Sequence, residues 1–180
     1  RELRTQLKES QVRIFKGTIH DLGTERHDAS LPCDNDLLIM EFTAEDKKAM
    51  IVRAACHPTV LNADNLEVTA DFPGAIEPHF SNMDMVAYVN GSCGDMSTRF
   101  TRKAQGFDEW ARFGQLAADQ IKELITEDVQ MQPYTMELNQ TFFTVKARET
   151  DSLPVALEKL HKAKEAVDAA IRNGVSAQEL

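Results

Sequence analysis

Two short apolar segments joined by a charged turn constrain the fold of this chain more than any other feature. Residues 37–42 (LLIMEF) are almost continuously apolar, and residues 50–55 (MIVRAA) return after the turn EDKK. A nearly continuous apolar run of this length is typical of a strand that is covered on both faces. The two segments therefore predict a β-hairpin inside a layered fold.

Strands and helices alternate along the rest of the chain. Strands are predicted over residues 11–21 and 83–90, and a long one over residues 136–147. Apolar residues at three- and four-residue spacing predict amphipathic helices over residues 107–125 and 154–173. This order is typical of the α/β class, and we expect a layered sandwich with a mixed central β-sheet flanked by helices.

The length of 180 residues is compatible with one main domain. We expect an α/β core over residues 1–150. Residues 151–180 are expected to form a helical segment, either the start of a helical hairpin or an insertion.

The charge of the chain narrows the class of partner. The formal net charge is −9, and a nucleic-acid binder needs a basic face for phosphate contacts, so nucleic acid is not expected as a partner. No apolar run approaches the roughly 20 residues of a membrane span. These features predict a soluble protein, cytoplasmic or secreted, and leave its oligomeric state open.

The three cysteines do not form a recognisable motif. Cys33, Cys56 and Cys93 are widely spaced and include no CxxC pair, which disfavours a zinc knuckle or a redox pair. We expect reduced thiols with a structural role, rather than a disulfide or a nucleophile.

His57 is the first candidate for chemistry, because it directly follows the apolar strand 50–55 and is itself followed by Pro58. Imidazole is a frequent metal ligand and general base. A histidine that merely forms hydrogen bonds in a loop is the alternative. No HxH or HExxH spacing occurs in the chain, so no complete metal site is encoded locally.

The second candidate is the glycine-rich turn after strand 83–90, with the sequence NGSCGDMSTR. Glycines allow a substrate to approach the backbone, and exposed N–H groups in such a turn can form an oxyanion hole. The pattern is neither G-x-S-x-G nor a P-loop. A plain strand-to-loop turn is the alternative.

Asp71 precedes Phe-Pro-Gly and is the third candidate. Its side chain is suited to cap a short helix. An orienting role toward a catalytic group is the other interpretation.

Taken in order, the segments LLIMEF, MIVRAACHPTV, NLEVTADFPGA and MVAYVNGSCGDMSTRFTR resemble the catalytic domain of the neutral/alkaline (non-lysosomal) ceramidase family. The resemblance is stronger still to a bacterial subgroup of ceramidase-like proteins. It covers residues 11–125 and depends on the combination of motifs.

The resemblance implies a zinc-dependent hydrolase that cleaves an N-acyl amide, and therefore a small-molecule or lipid amide as substrate. His57 matches a zinc ligand of the family. Ser97 matches the catalytic serine, as a nucleophile or as a hydroxyl that positions the attacked carbonyl. Asp71 falls on the family's aspartate in the segment between these motifs, and Gly94 and Asp95 shape the turn. The resemblance thus implies catalytic roles for Asp71 and Asp95. It implies substrate binding by Gly94, Arg99 and Arg102.

The chain also differs from the family pattern. Thr98-Arg99 stands where the family has Pro-Asn. Arg99 and Arg102 add positive charge beside the predicted site, which indicates an anionic or polar substrate. The family completes its zinc site with an upstream His and downstream Glu and Tyr ligands.

We therefore expect this chain to be a truncated catalytic-domain fragment that is inactive by itself. A non-catalytic ceramidase-like binding or assembly module is the alternative, as is a hydrolase of another amide or ester.

Overall fold

The computed structural model describes residues 7–125, 129, 137–147 and 149–174. The chain divides into two compact units, Arg1–Met136 and Glu137–Leu180. The expected division at residues 150 and 151 remains a prediction.

A mixed four-stranded sheet forms the centre of the first unit. The strands of the described residues are β1 (Gln11–Thr18), β2 (Thr24–Glu25), β3 (Asp36–Ala44), β4 (Lys47–Ala54), β5 (Met85–Asn90) and β6 (Met96–Ser97). The order in the sheet is β1-β3-β4-β5: β1 pairs antiparallel with β3, β3 antiparallel with β4, and β4 parallel with β5. The two short strands, β2 and β6, pair antiparallel as a separate sheet.

The predicted hairpin is confirmed as β3 and β4, with Ile39 opposite Val52 and Glu41 opposite Met50. On the face that these residues share, the apolar side chains are almost fully buried. The side chains of the opposite face, such as Met40, are half-buried. The apolar run thus predicted the hairpin, while the two faces differ in how completely they are covered.

Two helices of the first unit accompany the sheet. Helix α1 (Phe72–Ile76) continues into a short 3₁₀ turn, Glu77–His79, and α2 (Phe107–Leu124) follows the glycine-rich region. The apolar stripe of α2 enters the core that also contains the buried face of the sheet. The α/β prediction of a mixed sheet with flanking helices is therefore confirmed.

The second unit contains α3 (Leu153–Arg172), as the spacing of apolar residues predicted. The predicted strand over residues 136–147 is wrong for residues 137–147, which adopt neither helix nor strand; residue 136 lies outside the described residues. Leu138 and Phe142 are each 87% exposed. Alternation alone does not make a strand, because a strand also needs a neighbour to pair with.

Within the described ranges of the chain, no helix is both long enough and apolar enough to cross a lipid bilayer.

Candidate functional site

The two sequence motifs meet because β4 and β5 run parallel and end at the same edge of the sheet. Ala54 lies opposite Asn90 at this edge. The backbone N–H of Gly91 donates to the carbonyl of Ala54 at 2.9 Å, and the N–H of Cys56 donates to Asn90 Oδ1 at 3.1 Å. The carboxyl ends of parallel strands are where α/β proteins place their sites.

The chain after β5 turns back and brings Ser97 next to His57. These two residues form an isolated parallel bridge, and Ser97 also lies opposite Thr24 in the small β2–β6 sheet. Gly23 lets the chain before β2 pass close to Cys56 and Ser97, because a Cβ on this glycine would lie 2.7 Å from Cys56 Sγ and 3.2 Å from the Ser97 carbonyl oxygen. The histidine and serine motifs, distant in sequence, therefore occupy adjacent positions.

Cys93 also lies beside His57, and the sequence did not identify it as a site residue. Its Sγ lies 3.7 Å from His57 Nδ1, and both residues are half-buried. The available signal was its position inside the glycine-rich turn. We call His57, Cys93 and Ser97 the strand-end cluster.

The other two cysteines have different surroundings. All three are free thiols, as expected. Cys56 is buried, and this burial is the main cause that raises the pKa of its thiol to about 12. The nearby Cys93 and Asp71 contribute to the same increase. Cys33 is half-buried and donates weakly to Asn35 Oδ1 at 3.5 Å. Cys56 is therefore a structural thiol.

Ser97 and the turn before it are open to solvent to different degrees. The Ser97 hydroxyl is half-buried and accepts from the backbone N–H of Arg99 at 3.2 Å. Gly94 and Asp95 are exposed, and a Cβ at Gly94 would meet nothing within 4 Å. The Asp95 carbonyl accepts from the N–H of Arg26 at 2.7 Å, which attaches the turn to the chain after β2.

The two arginines after Ser97 differ in their contacts. Arg99 is exposed. Arg102 is half-buried, and its Nη1 donates to the Thr59 carbonyl at 2.8 Å and to Thr98 Oγ1 at 3.1 Å. Thr98 is fully buried and also bonds Thr59. Arg102 therefore joins the segment after His57 to the segment after Ser97, a contact that no sequence pattern indicated.

Asp71 is buried and bonds the segment that follows His57. It is the N-cap of α1, with its carboxylate accepting from Phe72 N at 2.7 Å. The same carboxylate accepts from Val60 N at 3.0 Å and Leu61 N at 2.9 Å. Trp110 Nε1 donates to the Asp71 carbonyl at 2.7 Å. Asp71 thus caps a helix and also anchors the chain that follows His57.

The strand-end cluster offers two good zinc donors, the imidazole of His57 and the thiol of Cys93. Among the described residues, no group of three or more His, Cys, Asp or Glu side chains is arranged to hold a metal ion. A catalytic zinc normally has three protein ligands. The pair therefore fits zinc as part of a ligand set.

Comparison with known proteins identifies the fold. No protein-family model and no curated protein matches the chain. A solved structure described as a ceramidase complexed with C2 matches with a TM-score of 0.57 and 13% identity, covering 67% of this chain and 23% of that chain. Neutral ceramidase from Pseudomonas aeruginosa matches with a TM-score of 0.55 and 14% identity, with the same coverages. The matched two thirds of the chain have a ceramidase-like fold, and the chain spans about a quarter of the length of these proteins.

Proposed function

We propose that this chain is the core of a ceramidase-like, zinc-dependent hydrolase that cleaves N-acyl amides. The observation that carries the proposal is the bridge between His57 and Ser97. It lies at the shared end of two parallel strands, in a fold that neutral ceramidase also has. Histidine and serine are the residue types that a metal-assisted acyl transfer requires at one place.

The residues of the chain have separate tasks in this proposal. His57 holds zinc, which when bound activates water and polarises an acyl carbonyl. Ser97, which is half-buried and whose backbone bridges to that of His57, supplies a hydroxyl, either as the nucleophile or as a donor that orients the carbonyl. Further zinc ligands come from outside the described residues, because the cluster supplies fewer than the usual three.

The surroundings of Ser97 favour an amphiphilic amide. Phe100 is 51% exposed, and Arg99 beside it is exposed and cationic. An apolar ring can contact an acyl chain, while the guanidinium binds an anionic or polar group. A lipid amide with a polar head combines both features.

The proposal is tested with the complete gene product, assayed against N-acyl lipids and simple acyl amides. We expect Ser97→Ala and His57→Ala each to lower kcat/KM by at least roughly 100-fold, the scale of losing one group that stabilises the transition state. Ser92→Ala, an exposed serine of the same turn, is the matched control and should retain activity.

Unchanged activity in both site variants would reject the site. Absence of turnover on any amide or ester by the complete protein would favour the non-catalytic alternative.

The 180-residue chain by itself should bind zinc weakly and turn over slowly or not at all, because two protein donors are fewer than a catalytic site uses. Calorimetric titration measures the affinity. Tight, stoichiometric zinc binding by this chain would contradict the proposed incomplete ligand set.

A further inference from the structure

We infer that Cys93 is a metal ligand, so that its Sγ and the Nδ1 of His57 bind the same ion. The inference rests on the proposed function in one respect only, that a metal binds at His57. It assigns to the cluster a thiolate donor that the resemblance to ceramidases did not include.

The distance between the two donor atoms supports a shared ion. Zinc lies about 2.3 Å from a thiolate sulfur and about 2.0–2.1 Å from an imidazole nitrogen, with tetrahedral angles between ligands. Two such ligands are therefore about 3.6 Å apart. The observed separation of Cys93 Sγ and His57 Nδ1 is 3.7 Å. The spacing of the two donor atoms therefore matches that of two ligands on one ion.

The backbone around both residues is held in place before any ion binds. The Cys93 carbonyl accepts from the N–H of Met96 at 3.1 Å, which closes the turn. His57 is fixed by its bridge to Ser97. Donors that are already positioned lose less conformational entropy on binding, which favours metal binding over a chance contact of two flexible side chains.

The chemical environments of the cysteines distinguish Cys93 from the others. Cys56 is fully buried, and Cys33 hydrogen bonds to a nearby asparagine. Cys93 combines partial exposure with a second metal donor at ligand distance. A thiolate–imidazole pair prefers zinc, cobalt or cadmium to magnesium or calcium, because the latter two prefer oxygen ligands.

The first experiment titrates the chain with Co²⁺ and records the near-ultraviolet charge-transfer band of a thiolate–cobalt bond. We expect this band in the unmodified chain and its loss in Cys93→Ser and in His57→Gln. Cys33→Ser is the matched control, since it removes another half-buried thiol, and it should retain the band. Cobalt affinity should fall in Cys93→Ser by at least the roughly 10–100-fold that outer-shell partners of a metal contribute.

A second experiment needs no variant and therefore does not depend on the folding of one. The unmodified chain is alkylated with iodoacetamide with and without Zn²⁺, and each cysteine is followed by mass spectrometry. We expect Zn²⁺ to slow alkylation of Cys93 at least tenfold and to leave Cys33 unaffected. Mg²⁺ at the same concentration should protect neither residue.

Several results would overturn the inference: cobalt binding without a thiolate band, a band that survives in Cys93→Ser, or equal alkylation of Cys93 with and without zinc. These failures differ from a failure of the proposed function, which is measured by the activity of the complete gene product. A thiolate–cobalt band together with an inactive complete protein would uphold the ligand and reject the hydrolase.

Discussion

The buried junction around Asp71 and the glycine-rich turn of residues 91–97 differ in construction. At the junction, one carboxylate accepts from three backbone N–H groups, and two of the donor residues, Val60 and Phe72, are fully buried. In the turn, Gly94 and Asp95 are exposed, whereas Cys93 and Ser97 are half-buried. The first region is therefore held by internal hydrogen bonds, whereas part of the second remains accessible to solvent.

The largest effect is expected from Asp71→Ala. It leaves three backbone donors without their acceptor, and an unsatisfied buried donor costs about 1–3 kcal/mol. We expect the free energy of unfolding of the chain to fall by about 3 kcal/mol or more. Asp71→Asn retains one acceptor oxygen and should lose less. Chemical denaturation measures both.

Asp95→Ala is the matched control in the turn, and it should change the free energy of unfolding by less than about 0.5 kcal/mol, as exposed substitutions usually do. Equal losses in Asp71→Ala and Asp95→Ala would remove the distinction between the two regions.

The glycines of the two regions give the next largest contrast. At Gly114 in α2, a Cβ would lie 2.5 Å from the carbonyl oxygen of Ala75 in α1, whereas at Gly94 it would meet nothing within 4 Å. Gly114→Ala should destabilise the chain by about 1–3 kcal/mol through overpacking. Gly94→Ala should stay within about 0.5 kcal/mol. Thermal melts of the pair would contradict this if Gly94→Ala were the less stable.

A smaller effect on stability is expected from Ser97→Ala. The Ser97 hydroxyl accepts only one hydrogen bond in the described residues, from the N–H of Arg99, and such a bond contributes about 0.5–1.5 kcal/mol. Because Arg99 is exposed, water can replace the hydroxyl, so we expect a loss below about 1 kcal/mol. A larger loss would show that the turn is structural, and activity data on this variant would then need a folding control.

The smallest effect concerns acid sensitivity at Glu109, which joins α2 to Lys103 in the segment that follows the turn. Its carboxylate accepts from Lys103 N at 2.8 Å and from Arg112. The hydrogen bond from Arg112 is the main reason why the pKa of Glu109 lies below its ordinary value of 4.5. Because the pKa of Glu109 is lower in the folded state than in the unfolded state, its ionised carboxylate stabilises the fold at pH values above 4.5, its ordinary pKa. This contribution is lost as the pH falls through the lowered pKa of the folded state.

The urea concentration at the midpoint of unfolding should therefore decrease as the pH is lowered from about 7 to about 3, and it should decrease less in Glu109→Gln. An identical decline in both proteins would exclude this pair as a source of the acid sensitivity.

Helices α2 and α3 show what sequence patterns can and cannot predict. Both were predicted from apolar spacing, and both form. The stripe of α2 is buried, with Phe113 and Ile121 at 0% exposure, whereas Leu157 and Ile171 of α3 are each 55% exposed. Spacing specifies a helix with an apolar side, but it contains no information about what that side contacts. The failed strand over residues 137–147 has the same cause, since pairing needs a partner.

The sequence by itself determined the hairpin of β3 and β4, the two long helices and the α/β class, and it indicated the segments that contain His57, Asp71 and Ser97 as candidates. These properties depend on local periodicity, capping and turn chemistry, which neighbouring residues set. It also showed that Asp71 is suited to cap a helix.

Only the tertiary structure decided that His57, Cys93 and Ser97 form one cluster. Their contacts span 36 to 40 residues and require β4 and β5 to pair in parallel with Ala54 opposite Asn90. That register depends on the packing of the whole sheet against α1 and α2, so no local pattern encodes it.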